Sequence, residues 1–155
     1  MVTTTQGFLV PPPLVALTAA LAQRALSSEP TPSAARRLAA LAVGAAAVGM
    51  LGAAAGGFRR RGTTVNPIKL GGSTTLVADG PFALTRNPMY VGLTGVLVAH
   101  ALWRGSVLAL LPAAAFVTVI DRLQIPPEEQ SMTELFGAEY VAYRAQVPRW
   151  LGPLG

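Results

Sequence analysis

An uncharged run of 21 residues, from Leu38 to Phe58, limits the fold of this chain more than any other feature. A helix needs roughly 20 apolar residues to cross the hydrocarbon core of a bilayer. Hydrophobic residues make up 52% of the 155-residue sequence and charged residues 12%, whereas soluble domains carry about 25% charged residues. The sequence therefore predicts an all-α, polytopic integral membrane protein.

Three further apolar segments raise the expected number of transmembrane helices to about four. Asn87–Trp103 and Gly105–Ile120 are uncharged but short, and they are predicted to form a helical hairpin that turns near Arg104. Phe8–Leu26 is interrupted by three prolines. It is interpreted as a retained first helix, because residues 1–6 lack the positive charge of a signal peptide.

One domain, residues 1–155, is expected to contain four parts. Residues 1–58 supply two spanning helices, 59–87 a cytosolic loop, 88–125 the hairpin, and 126–155 a C-terminal amphipathic helix and tail. The loop is polar and rich in glycine, and it is much longer than the usual connection of about 4 to 6 residues. A polar loop of this length is expected to be ordered by a bound ligand, so it is a candidate binding segment.

The basic residues are distributed unevenly between the two ends of these spans. With four spans, one side holds eight of the twelve: Arg59, Arg60, Arg61, Lys69, Arg86, Arg122, Arg144 and Arg149. The other side holds Arg24, Arg36, Arg37 and Arg104. Cytoplasmic loops carry the excess of positive charge, so both termini and the long loop are predicted to be cytoplasmic, at an inner membrane in contact with membrane lipids.

Several chemistries are excluded or disfavoured by composition. The chain has no cysteine, which excludes thiol catalysis and cysteine-bound iron–sulfur clusters. His100 is the only histidine, and a lone imidazole in an apolar helix is predicted to be a packing residue, so no metal is assigned. The basic residues flank apolar spans without a platform of stacking aromatic residues, and nucleic acid is not expected as a partner.

Small residues recur every four positions along the second span. Gly44, Gly52 and Gly56 form one row, in which Val48 takes the position between the first two, and Ala45, Gly49, Ala53 and Gly57 form the next. In lipid, small residues allow helices to approach closely, so these rows predict packing surfaces. Their partner is either another helix of the same chain or a second protomer, and the oligomeric state stays open.

Two short signatures flank the hairpin. The first, GPFALTRNPMYVG (Gly80–Gly92), places Asn87 and Pro88 where a helix N-cap and first helical residue are expected. The second (Pro126–Trp150) begins PPEE and continues as a helix with an apolar and aromatic stripe at helical spacing. The stripe contains Met132, Leu135, Phe136, Tyr140 and Tyr143. Such a helix is expected to lie on the membrane surface.

Together these signatures resemble the isoprenylcysteine carboxyl methyltransferase and phospholipid methyltransferase superfamily, whose members carry Arg-His-Pro-x-Tyr before a hairpin and Glu-Glu after it. The similarity covers roughly Thr64 to Leu151. It also includes a Thr-x-Asn-Pro-like element at Thr64–Pro67 and a Leu-Val-x-x-Gly-Pro-Phe element at Leu76–Phe82. Asn87 stands where histidine is commonest, so no imidazole role is assigned there.

The resemblance implies an enzyme that transfers a methyl group from S-adenosylmethionine, leaving S-adenosylhomocysteine. Catalytic roles are carried to Arg86, for the cofactor carboxylate, and to Glu129, for its ammonium or ribose. Glu128 is the alternative to Glu129. The implied cofactor-binding residues are Leu76, Val77, Gly80, Arg86, Asn87, Pro88, Tyr90, Glu128 and Glu129.

The acceptor is expected to be lipophilic, because the chain has too little polar loop to enclose a water-soluble one. An isoprenoid, a prenylcysteine-like carboxylate and a phospholipid-like amine all remain open, with access from the bilayer beside Met89, Tyr90 and Leu93. An amine acceptor would need a base such as Glu128, Glu129 or Asp79. Two alternative functions are an NADPH-dependent membrane reductase and a non-enzymatic packing or transport protein.

Overall fold

The protein is described by a computed structural model that covers residues 10–27, 32–60 and 76–152. These residues form six α-helices: α1 (Pro12–Leu26), α2 (Ala34–Arg60), α3 (Pro88–Arg104), α4 (Leu110–Val119), α5 (Ile125–Phe136) and α6 (Ala138–Gln146). A 3-10 turn, Gly80–Ala83, precedes α3. The described ranges contain no strand, which confirms the all-α prediction. The predicted element Thr64–Pro67 lies outside them.

Proline and glycine set the ends of the first arm of the hairpin. α3 begins at Pro88, where the missing amide hydrogen costs nothing because the first turn of a helix leaves such groups unpaired. It ends at Arg104, and Gly105 adopts a φ of 66°, a left-handed conformation that favours glycine. The turn therefore falls where the sequence predicts it. The second arm begins later than predicted, at Leu110, because residues 106–109 form successive turns.

Helices α2 and α3 form the most extensive helix pair, packed through small residues. Ala40, Ala47 and Ala54 are buried at intervals of seven residues, the spacing of a left-handed helix pair. A side-chain carbon placed on Gly95 would lie 2.8 Å from the Cβ atom of Ala47. The partner of this surface is a helix of the same chain, but the surface is not one of the two predicted rows: of those, Gly44 faces Ala99 of α3, whereas Gly52 has no described neighbour within 4 Å. Gly49, on another face of α2, has no described neighbour within 4 Å.

The main apolar core lies where α1, α3 and the helical run after the hairpin turn meet. Its buried members are Ala16, Ala19, Tyr90, Leu97, Ala113, Phe116, Ile120 and Ile125. The fully buried amide of Gln23 joins these helices. Its nitrogen donates to the carbonyls of Leu97 (2.9 Å) and Ala109 (2.7 Å), and its oxygen lies 2.7 Å from Nδ1 of His100.

The helix that carries the two glutamates does not start at the prolines as predicted. Helical structure runs without a break from Leu110 to Phe136, and a π-helical segment, Ile120–Gln124, joins α4 to α5. Pro126 and Pro127 have no amide hydrogen to give to the preceding turn, and the helix widens just before them. The predicted single C-terminal helix is instead two helices. Gly137, with a φ of 54°, separates α5 from α6.

Among the described residues, Ala34–Arg60 is the one helix that is long and apolar enough to cross a membrane by itself. It has 27 residues and a mean hydropathy of 2.0 over its most apolar window. The other helices are shorter, with 15 residues in α1 and 17 in α3. The four-span arrangement therefore stays a prediction.

Candidate functional site

The two signatures meet through a buried ion pair. Arg86 of the first signature directs its guanidinium at Glu129 of the second, with Nε 3.2 Å and Nη2 2.8 Å from the same carboxylate oxygen, Oε1. Only 11% of the Arg86 side chain and 8% of the Glu129 side chain are exposed. The two residues to which the sequence assigns catalytic roles are therefore in direct contact.

Arg149 binds the same carboxylate from the other side. Its Nη2 lies 2.7 Å from Oε2 of Glu129, and its Nε lies 3.3 Å from Oε1. Burial alone would raise the pKa of Glu129, but hydrogen bonds from Arg149 and Arg86, together with their positive charges, hold this pKa below its usual range. Glu129 is therefore a fully paired carboxylate that stays ionised at neutral pH.

Further donors of Arg86 hold the C-terminal tail (residues 147–152). Its Nη1 donates to the carbonyl oxygens of Val147 (2.5 Å) and Arg144 (3.3 Å), and its backbone amide donates to that of Pro148 (2.8 Å). An arginine guanidinium has five N–H donors in a fixed fork, which suits contacts in several directions at once. Arg86 thus joins the start of α3 to α5 and to the tail.

Asn87 occupies the predicted N-cap position, but its side chain does not cap α3. Its amide nitrogen instead donates to the carbonyl of Arg149, at 3.1 Å, and the hydroxyl of Thr85 donates to the same carbonyl at 2.7 Å. The prediction of a capping side chain is wrong, because a contact from the far end of the chain takes its place. Pro88, next to it, is buried at the first turn.

Asp121 and Trp150 complete the attachment of the tail, and sequence reasoning missed both. Oδ1 of Asp121, in the π-helical segment, accepts hydrogen bonds from the indole nitrogen of Trp150 (2.8 Å) and from Nη1 of Arg149 (3.2 Å). The hydrogen bond from Trp150 and the contact with Arg149 lower the pKa of Asp121. The available signal was the position of Asp121 as the first charge after a long apolar segment.

Acidification is expected to release this tail. The pKa values of Asp121 and Glu129 are lower in the folded protein than in the unfolded chain, where they are about 3.9 and 4.3. Both ionised carboxylates therefore stabilise the fold at pH values above these unfolded pKa values. This stabilisation is lost as the pH falls through the pKa values of the folded protein. A Trp103→Phe variant leaves Trp150 as the one tryptophan, and its fluorescence emission should shift to the red below about pH 4. Adding Asp121→Ala should produce the shift at neutral pH. An emission spectrum that is unchanged on acidification would contradict this role of the carboxylates.

Glu128 has surroundings unlike those of its neighbour. Its Oε1 accepts hydrogen bonds from the hydroxyl of Tyr90 and from the amide nitrogen of Gln124, both at 2.7 Å. Burial raises the pKa of Glu128, the negative charge of Glu129 adds to the effect, and the two hydrogen bonds only partly offset it. The adjacent glutamates therefore have pKa values displaced in opposite directions.

The segment before α3 packs against the end of α2. Val77 and Phe82 form a small apolar cluster with Ala54, and Leu76 is also buried. The carbonyl of Phe82 accepts a hydrogen bond from the hydroxyl of Tyr143 at 2.7 Å. Gly80, with a φ of 59°, begins the turn. The cofactor contacts that the resemblance implies for Leu76 and Val77 stay a prediction.

A surface cleft of about 380 Å³ lies beside this network. It is lined by Arg86, Val141, Arg144 and Ala145, so it combines two guanidinium groups with an exposed apolar face of α6. No group of three or more potential metal ligands occurs in the described ranges. The cleft can therefore bind an anionic group through its two guanidinium groups.

Comparison with known proteins places the chain in a family. The model of the phospholipid methyltransferase family matches residues 38–139, which include both Arg86 and Glu129. The chain belongs to this family. Membership indicates a membrane methyltransferase. The match ends before Arg149 and Trp150, so the residues that attach the tail lie beyond it.

An uncharacterised protein of Haemophilus influenzae is 43% identical to this chain over 63 residues. The alignment covers 41% of this chain and 100% of that protein. No solved structure matches the chain.

Proposed function

We propose that the protein transfers a methyl group from S-adenosylmethionine to a lipophilic acceptor at the membrane. The observation that carries the proposal is the direct contact between Arg86 of the first signature and Glu129 of the Glu-Glu pair in the second, both of which the family match encloses. We therefore place the cofactor at the contact between Arg86 and Glu129, beside the cleft.

The charges of the site fit this cofactor. S-adenosylmethionine carries a carboxylate, an ammonium and a sulfonium, and the site offers guanidinium groups at Arg86 and Arg144 and a carboxylate at Glu128. Both oxygens of Glu129 are occupied by arginine, which suits it to orienting Arg86. In this proposal Arg86 and Arg144 hold the cofactor carboxylate. The cofactor supplies an electrophilic methyl group, and the protein supplies positioning and exclusion of water.

The acceptor is proposed to approach from the apolar side of α3. Met89 packs beside the Ala54, Val77 and Phe82 cluster, and Leu93 packs against the main core, so both faces of the first turns of α3 are apolar. Large apolar side chains also remain exposed on α1 and α2, as a lipid environment favours. We place the site on the cytoplasmic face of an inner membrane, in keeping with the distribution of the basic residues.

Calorimetric titration of the purified protein in detergent tests the cofactor. S-adenosylhomocysteine is expected to bind, and NADPH is expected not to compete with it, because the family match favours methyl transfer over reduction. Arg144→Ala should weaken S-adenosylhomocysteine by about 1.5 to 3 kcal/mol, the range for a lost hydrogen bond to a charged group. Preferential binding of NADPH would instead support a reductase. Binding of neither would contradict the proposed function.

A further inference from the structure

The side chain of Arg149 is held by two carboxylates. Its Nε and Nη2 contact Glu129, at 3.3 Å and 2.7 Å, and its Nη1 lies 3.2 Å from Oδ1 of Asp121. Each nitrogen of this guanidinium therefore already has a carboxylate partner. Arg149 also does not line the cleft, whose charged walls are Arg86 and Arg144. A ligand in the cleft thus contacts Arg86, and Arg149 can influence it only through other residues.

Four charges alternate in a row that ends at the cleft. The order is Arg86, Glu129, Arg149 and Asp121, with successive contacts of 2.8, 2.7 and 3.2 Å. Asp121 is the last member, three contacts away from Arg86, and the indole of Trp150 binds it at 2.8 Å. Because the effect of a charge falls with distance, the net charge at the cleft end depends mainly on Arg86, Glu129 and Arg149.

Arg149 changes what Arg86 can offer to a ligand. Arg86 and Arg149 are the two cations that pair with Glu129 among the described residues. With Arg86 alone, the ion pair would be one-to-one, and the carboxylate would cancel most of the positive charge at the cleft. Sharing the carboxylate between two guanidinium groups leaves part of the charge of Arg86 uncompensated. It also fixes both oxygens of Glu129, and so the plane against which the Arg86 fork is oriented.

We propose that Arg149 is a positioning residue for the carboxylate of the cofactor. It acts through Glu129, and it keeps the guanidinium of Arg86 oriented and positively charged toward the cleft. This inference rests on the proposed function, and it adds a residue that lies beyond the family match. The C-terminal tail then takes part in ligand recognition as well as in closing the fold.

Two ligands that differ in one group test this role. S-adenosylhomocysteine carries the carboxylate, whereas decarboxylated S-adenosylhomocysteine keeps the adenosine, the thioether and the ammonium without it. The ratio of their two dissociation constants, measured by calorimetry on the full chain in detergent, reports the preference for the carboxylate. General damage to the site weakens both ligands and leaves this ratio unchanged.

Arg149→Met removes the charge and keeps much of the length of the side chain. It should lower the preference for S-adenosylhomocysteine at least about tenfold, as expected when one hydrogen bond to a charged group is lost. Arg149→Lys keeps the charge without the planar fork, so it should retain part of the preference. An equal loss of affinity for both ligands in Arg149→Met would overturn the inference, because Arg149 would then only hold the tail.

Thr85→Val is the matched control. It removes the hydrogen bond from the Thr85 hydroxyl to the backbone carbonyl of Arg149 and leaves the guanidinium in place. It should therefore loosen the tail and lower the midpoint of thermal unfolding, while the ratio of the two dissociation constants stays as in the unaltered protein. A tenfold fall in preference in Thr85→Val would overturn the inference, because loosening the tail would then be sufficient to explain the effect.

A double-variant cycle tests whether the effect passes through Glu129. In Glu129→Gln the carboxamide has no charge for Arg149 to neutralise. Adding Arg149→Met to that variant should change the preference by less than about twofold, since the two residues act as one unit. A full tenfold loss in this background would overturn the inference, because Arg149 would then act independently of Glu129.

The unaltered protein separates this inference from the proposed function. Equal binding of the two ligands would overturn the inference, because no carboxylate would be recognised, and it would leave the cofactor site and methyl transfer intact. Binding of neither ligand would instead overturn the proposed function.

Discussion

Arg86→Ala is expected to abolish measurable binding of S-adenosylhomocysteine and to detach the C-terminal tail. The substitution removes half of a buried ion pair and also leaves the carbonyls of Arg144 and Val147 without their donor. Breaking a buried pair by removing one partner costs roughly 3 to 5 kcal/mol. Calorimetry with S-adenosylhomocysteine and thermal unfolding in detergent measure the two effects on the same preparation.

Two further variants make this result specific. Arg122→Ala is the control, because 79% of that side chain is exposed and its ion pair with Asp121 is long, at 3.5 Å. Exposed pairs contribute about 0 to 1 kcal/mol, so its affinity and stability should be nearly unchanged. Arg86→Lys keeps the charge but not the planar fork, and it should recover only part of the loss. Cofactor affinity that survives in Arg86→Ala would show that Arg86 only supports the tail.

Gly95→Leu is expected to force α2 away from α3. Even a single carbon on Gly95 would lie 2.8 Å from the Cβ atom of Ala47, and that atom cannot move without the backbone of α2. Overpacking a well-filled contact costs about 1 to 3 kcal/mol, and a leucine adds three more carbons to the clash. The midpoint of thermal unfolding in detergent should fall accordingly. The positions of α2 and α3 relative to each other should then no longer be fixed, and the affinity for the cofactor should fall as a result.

Gly49→Leu is the matched control on the neighbouring helix. Apart from its chain neighbours and the nearby backbone of α2, no described atom lies within 4 Å of the place where its first side-chain carbon would sit. Replacing glycine inside a helix also removes a cost of about 1 kcal/mol. Its unfolding midpoint should stay level or rise. If Gly49→Leu destabilises the protein as much as Gly95→Leu, the free face of α2 is itself packed in solution. The second protomer left open by the sequence would then be the natural partner.

Local rules predicted the parts of the fold that depend on local geometry. Pro88 marks the start of α3 and Gly105 marks its end, because both effects come from the backbone of the residue itself. The small residues of α2 predicted a helix-packing surface but left its partner open, and the structure shows α3 as one partner. The meeting of Arg86 with Glu129 followed from two signatures placed at the same end of one hairpin.

The features that the sequence did not predict depend on contacts between distant parts of the chain. The side chain of Asn87 leaves its cap position for the carbonyl of Arg149, 62 residues later. The network that joins Asp121 to Trp150 likewise appears only when the tail folds back on the helix. Neither pairing has a periodicity or a spacing from which it could be read.

The continuity of α4 with α5 has a different cause. Proline usually indicates the first turn of a new helix, and two prolines in a row strengthen that expectation. The chain instead adds one residue to the preceding turn, so that Ile125 bonds to Ile120, five residues back, and the helical run continues. The choice between a new helix and a widened turn depends on packing at Ile120 and Ile125, both fully buried.

Gln23 has a consequence for the order in which the protein is assembled during synthesis. Its amide is fully buried, and both carbonyls that it binds belong to residues made at least 74 positions later. A buried amide without partners is costly, so α1 gains little from settling early beside α2. The nascent first helix should therefore stay loosely placed until Leu97 and Ala109 have left the ribosome. A Gln23→Leu substitution would remove that delay, because α1 could then pack against the first helix that is synthesised after it.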